Sequence, residues 1–299
     1  MRAAIVSRFG GPEAVEITEV PVPEPGPGQV RIKVAAAALN PVDAAMRAGV
    51  FGWAGADRIG PGWDVAGTVD AAGAGASWSP GDRVVGLCTG HHTPLGTHAE
   101  YVVLDASAVA PAPASLDDAH AAALPLNALS ATQVLDMAAL APGRSLLVTG
   151  AAGGVGAHTV ELAHHHGLKV TALASARDEA YLRERGADDV LDRGQPLPAA
   201  AFDGVVDAAM LGAPALAPVR DGGVYVGVWP GQEPAAERGV RVTALDVRAD
   251  GNRLAELSAL ADRGAVLPRV AEVLPLAEAA TAHARLAEGG LRGRIVLVP

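Results

Sequence analysis

The stretch Leu146–Gly156 reads LLVTGAAGGVG. A short apolar run, Leu146-Leu147-Val148, meets a turn of small residues: Gly150, Ala151, Ala152, Gly153, Gly154, Val155 and Gly156. A helical pattern follows, with Val155, Val160, Leu162 and Ala163 on one side, ending at Gly167. Ala151-x-Gly153-x-x-Gly156 is a small-residue form of the spacing that binds dinucleotides. The first small residue allows the sharp turn, Gly153 lets backbone approach a pyrophosphate, and Gly156 lets helix and strand pack closely. The N–H groups and dipole of the helix start favour the phosphate's charge. In a chain with 36 glycines the spacing alone discriminates poorly. The strand before it and the helix after it give it meaning.

The acid that holds the ribose of NAD is expected about 20 residues past such a turn, at the end of the second strand. Here that strand ends Leu173-Ala174-Ser175-Ala176-Arg177, with no carboxylate at its tip. Ser175 can donate a hydrogen bond and Arg177 can fork onto a phosphate. Asp178 and Glu179 follow closely, but the tip itself favours NADP(H) over NAD(H).

The elements that must position this turn alternate. Strands are expected at 146–148, 168–174, 189–191, 204–207, 224–228 and 240–245, with helices at 155–166, 178–185, 252–263 and 276–288 and a final strand at 294–298. This alternation implies parallel strand–helix–strand units. Before residue 114 the chain reads instead as short β-prone runs, 3–6, 14–20, 29–37, 65–70, 82–86 and 99–104. They are separated by turn signals such as Ser79-Pro80-Gly81-Asp82 and suggest a small barrel-like β domain. Pro21–Gln29 is a proline-rich surface loop. Ser115-Leu116-Asp117-Asp118 has the form of a helix N-cap, opening an Ala/Leu helical region broken at Pro125.

Composition sets outer limits. Half of the 299 residues are hydrophobic, enough for a sizeable core, and the net charge of −10 argues against a nucleic-acid partner. The single cysteine, Cys88, excludes an internal disulfide and any multi-cysteine metal site. The N-terminus has no signal-like apolar run and no stretch is long enough to span a membrane, so a soluble cytoplasmic protein is expected.

These stretches together resemble the medium-chain dehydrogenase/reductase superfamily, in its zinc-independent, zeta-crystallin-like quinone oxidoreductase branch. The resemblance rests on LNPVDAAMRAG (39–49), PGWDVAGTV (61–69), PGDRVVG (80–86), HAEYV (98–102), AAALPLNALSATQVL (121–135), LLVTGAAGGVG, LASARDEAYLRERGADDVLD (173–192), FDGVVD (202–207) and GRIVLV (293–298), in the family's order. It implies an α/β chain with a GroES-like β-barrel catalytic domain, residues 1–114 and 270–299, and a doubly wound parallel Rossmann sheet, residues 115–269. It also implies a homodimer made through the edge strand 240–245.

The resemblance implies site residues too. Asn40, Asp43 and Asp64 would form the catalytic group, Asn40 through its amide on substrate or ribose and Asp64 behind it; Arg47 follows on the next turn. Asn40, Thr132, Gly150–Gly156, Ser175, Arg177, Ala208, Gly227, Val228 and Gly293 would hold the cofactor. Phe51, Trp53, Asn127 and Trp229 would wall the acceptor pocket. Departures are visible: Ala45 stands where relatives often carry lysine, and Phe51 or Trp53 where a tyrosine is common. The segment 208–221 is short. Zinc relatives need a cysteine and a histidine where this chain has Asn40 and the Trp63-Asp64 pair; the loop of His91, His92 and His98 has no acid at ligand spacing and His164–His166 suit the C-terminal end of a helix, so no metal is expected.

Without zinc to stabilise an alkoxide, the expected reaction is hydride transfer from NADPH to a quinone or another activated acceptor. Reduction of an enone or alkenal C=C bond is the alternative. An NADPH-binding sensor or crystallin-like protein with little turnover is a third reading.

Overall fold

The structure, a computed structural model, describes residues 1–53 and 57–299. It divides into two compact units, Met1–Leu126 with Arg248–Arg263 and Pro268–Pro299, and Asn127–Val247 with Gly264–Leu267.

In the first unit the long strand Gln29–Leu39 organises a seven-stranded sheet. One edge pairs antiparallel with Asp64–Ala72. The other edge is shared in sequence, by Tyr101–Asp105 against its first half and by Arg294–Val298 against its last residues. Arg83–Leu87 and Val109–Pro111 extend the sheet on one side and Val270–Pro275 on the other. Alternate residues of the long strand, Val30, Ile32 and Val34, face a core with Val65, Val69, Val84 and Leu104. A second cluster joins Leu39, Ile295 and Leu297 to Leu276, Ala279 and Ala282 at the start of the helical segment near the C-terminus.

Two expectations shift here. The helix Gly251–Asp262 packs on Val109–Pro111 of this unit, where the sequence placed it with the parallel sheet. The contact is close: a Cβ on Gly251 would lie 2.4 Å from the Val109 carbonyl oxygen. The helix cap expected at Ser115 is Asp117, whose side chain accepts from the His120 N–H, while the Ser115 N–H donates to Asp262 at 2.8 Å. The strand Val270–Pro275, VAEVLP, is a further element that the sequence pattern did not separate from the helical segment after it.

The second unit is a six-stranded, all-parallel sheet in the order Asp189–Asp192, Lys169–Ala174, Ser145–Thr149, Phe202–Asp207, Val219–Gly227, Arg241–Ala244. Chain direction through the sheet reverses between Ser145–Thr149 and Phe202–Asp207, the switch point at which open parallel sheets bind ligands. The shortened segment after Asp207 keeps a single helical turn, Ala213–Leu216. Arg241–Ala244 is an edge strand, as expected.

Phe202–Asp207 carries an acid at each end. Asp203, at its start, accepts from the Ser145 N–H and hydroxyl, both at 2.8 Å, and from Arg144 and Arg220 at 3.2 and 3.0 Å. It thereby ties together the beginnings of three strands. The Ser145 N–H, helped by the Ser145 hydroxyl and Arg220, holds its carboxyl down to about 2. In the unfolded chain the same group titrates near ~4. The stabilisation is therefore complete above pH ~4 and is lost as pH falls toward 2. Asp203→Asn should cost about 2 kcal/mol at pH 7 and converge on the parent protein near pH 2, as read by urea unfolding across that range. A cost that does not change with pH would contradict the assignment.

Candidate active site

In the second unit the glycine turn joins Ser145–Thr149 to the helix Gly154–His165. Gly150 takes φ +57°, a left-handed conformation. The Gly153 N–H closes the turn on the Gly150 carbonyl at 2.9 Å, and the Ala151 N–H reaches Leu173 of the neighbouring strand at 3.3 Å. The helix then starts directly over the turn, so that a Cβ on Gly156 would sit 2.2 Å from the Gly150 oxygen. Its first N–H groups, at Gly154, Val155 and Gly156, have no carbonyl one turn back. Gly153 is exposed and Gly154 and Val155 are half-buried, so an anion can reach this end.

Candidates fall on both sides of the turn. At the tip of Lys169–Ala174, Ser175 is half-buried and Arg177 exposed, while Asp178 is buried. The tip thus presents a hydroxyl and a guanidinium, the guanidinium 3.9 Å from the buried Asp178 carboxylate and with Glu179 exposed beside them. On the other side Ala208 and Gly227 follow or end the strands Phe202–Asp207 and Val219–Gly227, and Val228 and Trp229 come next. Thr132, on the helix Pro125–Ala138, is 4% exposed, and its hydroxyl has no hydrogen-bond partner among the described residues. Asn127 of the same helix is buried. An accessible helix start, a cation at the next strand tip and an orphaned buried hydroxyl fit a phosphorylated dinucleotide.

In the first unit Asn40 follows the long strand and caps the helix Pro41–Ala48. Its backbone N–H donates to one oxygen of Asp43 at 2.8 Å, and the Gly62 N–H donates to the other at 2.7 Å. The Asn40 amide donates to Asp64 at 2.6 Å, and the second Asp64 oxygen accepts from the Leu126 N–H, also at 2.6 Å. All three side chains are fully buried. Burial pushes both carboxyls up to about 7, against these hydrogen bonds and the charge of Arg294. Asp43 and Asp64 therefore position Asn40 and its loop; both Asp43 oxygens are committed to backbone donors.

The remaining candidates in this unit sit in separate pairings. Phe51 stacks on His91 with ring centres 3.8 Å apart, and its carbonyl bonds His92 at 3.0 Å; Trp53 stacks on Phe9 at 4.0 Å. Arg47 is buried, with Glu13 as the acid whose charge acts on it. Gly293, at φ +127°, is pressed against Arg269 and Ala271, where a Cβ would come within 2.9 Å of their backbone. Its glycine thus has a packing reason.

Sequence reasoning missed Arg294, whose charge favours the ionised form of the two buried acids, and Asp207, fully buried at the tip of its strand. For Asp207 the available signal was a polar residue closing an apolar run at a strand's C-terminal end, as in LLVT and GVVD.

Two family models match the chain: the alcohol dehydrogenase GroES-like domain over residues 26–114 and the zinc-binding dehydrogenase over residues 179–297. An NADPH-dependent alkenal/one oxidoreductase of Arabidopsis thaliana is 32% identical over an alignment that spans 100% of this chain and 80% of that protein. Rat quinone oxidoreductase is 35% identical over 64% of this chain, an alignment that spans only 58% of the rat protein's length. The solved quinone oxidoreductase of Coxiella burnetii superposes with a TM-score of 0.89 at 28% identity, covering 100% of this chain and 99% of that one. The chain belongs to the medium-chain dehydrogenase/reductase family, with relatives in its quinone oxidoreductase branch.

The second model's description names zinc. Cys88, the lone thiol, is buried and its pKa is pushed up to about 11, and Asn40 is bonded to Asp64. Among the described residues no three His, Cys, Asp or Glu side chains gather as a ligand set. No helix among them is long and apolar enough to cross a membrane.

The buried Asn40–Asp64 bond yields a pH-dependent expectation. Asn40→Leu removes the donor and leaves a buried carboxyl oxygen unpaired, at a cost of about 1–3 kcal/mol. Because burial holds Asp64 protonated up to about 7, the cost should be larger at pH 8 than at pH 5. Urea unfolding at both values checks this; equal losses would contradict it.

Proposed function

We propose that the chain is an NADPH-dependent reductase that delivers a hydride to a quinone or a similarly activated acceptor without zinc. The observation that carries this is the arrangement at the parallel sheet's switch point. A glycine turn opens a helix start to a pyrophosphate, and Ser175 and Arg177, at the next strand tip, offer the 2′-phosphate a donor and a fork. The relatives' names support the same reading.

When bound, the reduced nicotinamide supplies the hydride, and a quinone or enone spreads the arriving charge over its own carbonyl. The protein's part is placement. Asn40, held by Asp43 and Asp64, offers its amide to substrate or ribose; Thr132 offers its hydroxyl to the cofactor. Water supplies the proton. The lysine and tyrosine positions of relatives hold Ala45 and Phe51 or Trp53 here, so no side chain is assigned as acid. Reduction of an enone or alkenal is the second reading. It is favoured by the Arabidopsis relative, whose alignment spans the whole chain. Two copies pairing along the edge strand Arg241–Ala244 would complete a homodimer.

NADPH oxidation followed with a quinone panel and an enone panel separates the two acceptors; turnover with neither sinks the reductase reading and leaves an NADPH-binding protein. Arg177→Ala should weaken NADPH at least tenfold and leave NADH within about twofold, since only NADPH brings a phosphate for the guanidinium. Equal losses for both cofactors would remove the NADP(H) assignment.

A further inference from the structure

The reading of the switch point as a cofactor site leaves one buried group unused. Asp207 and Thr149 end adjacent parallel strands in direct register, on the two sides of the place where the sheet's order reverses. Asp207 is fully buried, and its hydrogen-bond partners among the described residues are neutral donors. The Thr149 hydroxyl donates to one oxygen at 2.5 Å. The other oxygen accepts from the Tyr225 hydroxyl at 2.7 Å and from the Gly212 N–H at 2.8 Å. Thr149 in turn accepts from the Ala209 N–H at 3.0 Å.

The bonds converge on one loop. Two of the donors, Ala209 and Gly212, lie in the bend that leaves Asp207, where Met210 takes φ +54° and Gly212 φ +67°. That bend lies against the glycine turn: a Cβ on Gly150 would be 3.1 Å from Ala208 and Ala209 backbone. Tyr225 belongs to the same construction. It sits opposite Val205 in the sheet, its ring buried with Leu147, Val205 and Leu216, and its hydroxyl extends up to the carboxylate. A buried ring does not need a hydroxyl to fill space, and an acid at this depth is costly without donors.

We propose that Asp207, with Tyr225 and Thr149, is a positioning group for cofactor binding: it locks the bend Ala208–Gly212 beside the glycine turn so that both face the dinucleotide at the switch point. This rests on the NADPH reading above. The group acts on the pyrophosphate and nicotinamide side. Ser175 and Arg177 lie on the opposite neighbour of Ser145–Thr149 and recognise the 2′-phosphate independently.

Tyr225→Phe keeps the ring and removes the hydroxyl, and is the decisive variant. Calorimetry should give an NADPH Kd raised about tenfold. The affinity for adenosine 2′-phosphate, a probe of the other side alone, should stay within about twofold of the parent. In turnover, KM for NADPH should rise with kcat at saturating NADPH nearly unchanged. Thr149→Val should weaken NADPH in the same way, and Thr149→Ser, which restores the hydroxyl, should recover it. A merely structural role would lower Tm in Tyr225→Phe without moving the Kd well below that temperature. An unchanged NADPH Kd in a folded Tyr225→Phe, or equal losses for NADPH and adenosine 2′-phosphate, overturns the proposal. Failure of the parent protein to bind NADPH would instead overturn the reading on which it rests.

Discussion

Everything in the parallel-sheet unit depends on one close approach, that of the helix start to the turn beneath it. Gly156 lies so near the Gly150 carbonyl and the Ala151 backbone that any side chain there would push the helix away. Only with that distance kept do the first helical N–H groups stand over the end of Ser145–Thr149, at the point where the sheet's order reverses. The position of this end relative to its two neighbouring strand tips then follows from the ladder. One neighbour carries Ser175 and Arg177; the other carries Asp207 and the bend after it.

The first unit is held by a different economy of contacts. The strand Gln29–Leu39 serves three partners, and its last residues lead directly into Asn40. Asn40, Asp43 and Asp64 use their polar atoms on one another and on backbone N–H groups from Gly62 and Leu126, segments far apart in sequence. Such a network is stable only when each member is satisfied, because an unpaired buried acid carries its full desolvation penalty. This constraint ties Asn40 to the Gly62 and Leu126 backbone through the two acids.

Much of this was legible in the residues. The alternation of apolar runs with helical stretches revealed the parallel sheet, and the small-residue turn located its central crossover. The tip Ser175-Ala176-Arg177 showed its lack of an acid directly. What could not be read is what a side chain touches. Asp43 looks like a reacting carboxylate by type and turns out to have both oxygens bound by backbone, a fact set by the fold around Gly62. Asp207 meets Thr149 from 58 residues away and Tyr225 from 18, so no local pattern joins them. The helix Gly251–Asp262 has an apolar face, but which unit that face covers is decided by its close packing on Val109. The strand Val270–Pro275 is only six residues long and directly precedes the C-terminal helical segment, so it does not stand out as a separate element.

The most direct test of the account is a crystal structure of the protein grown with NADPH. The account places the pyrophosphate within hydrogen-bond distance of the N–H groups at Gly153–Gly156, the 2′-phosphate against Ser175 and Arg177, and the bend Ala208–Gly212 beside the ribose of the nicotinamide half. A cofactor bound elsewhere, or one seated on the turn with its 2′-phosphate away from Arg177, would contradict it.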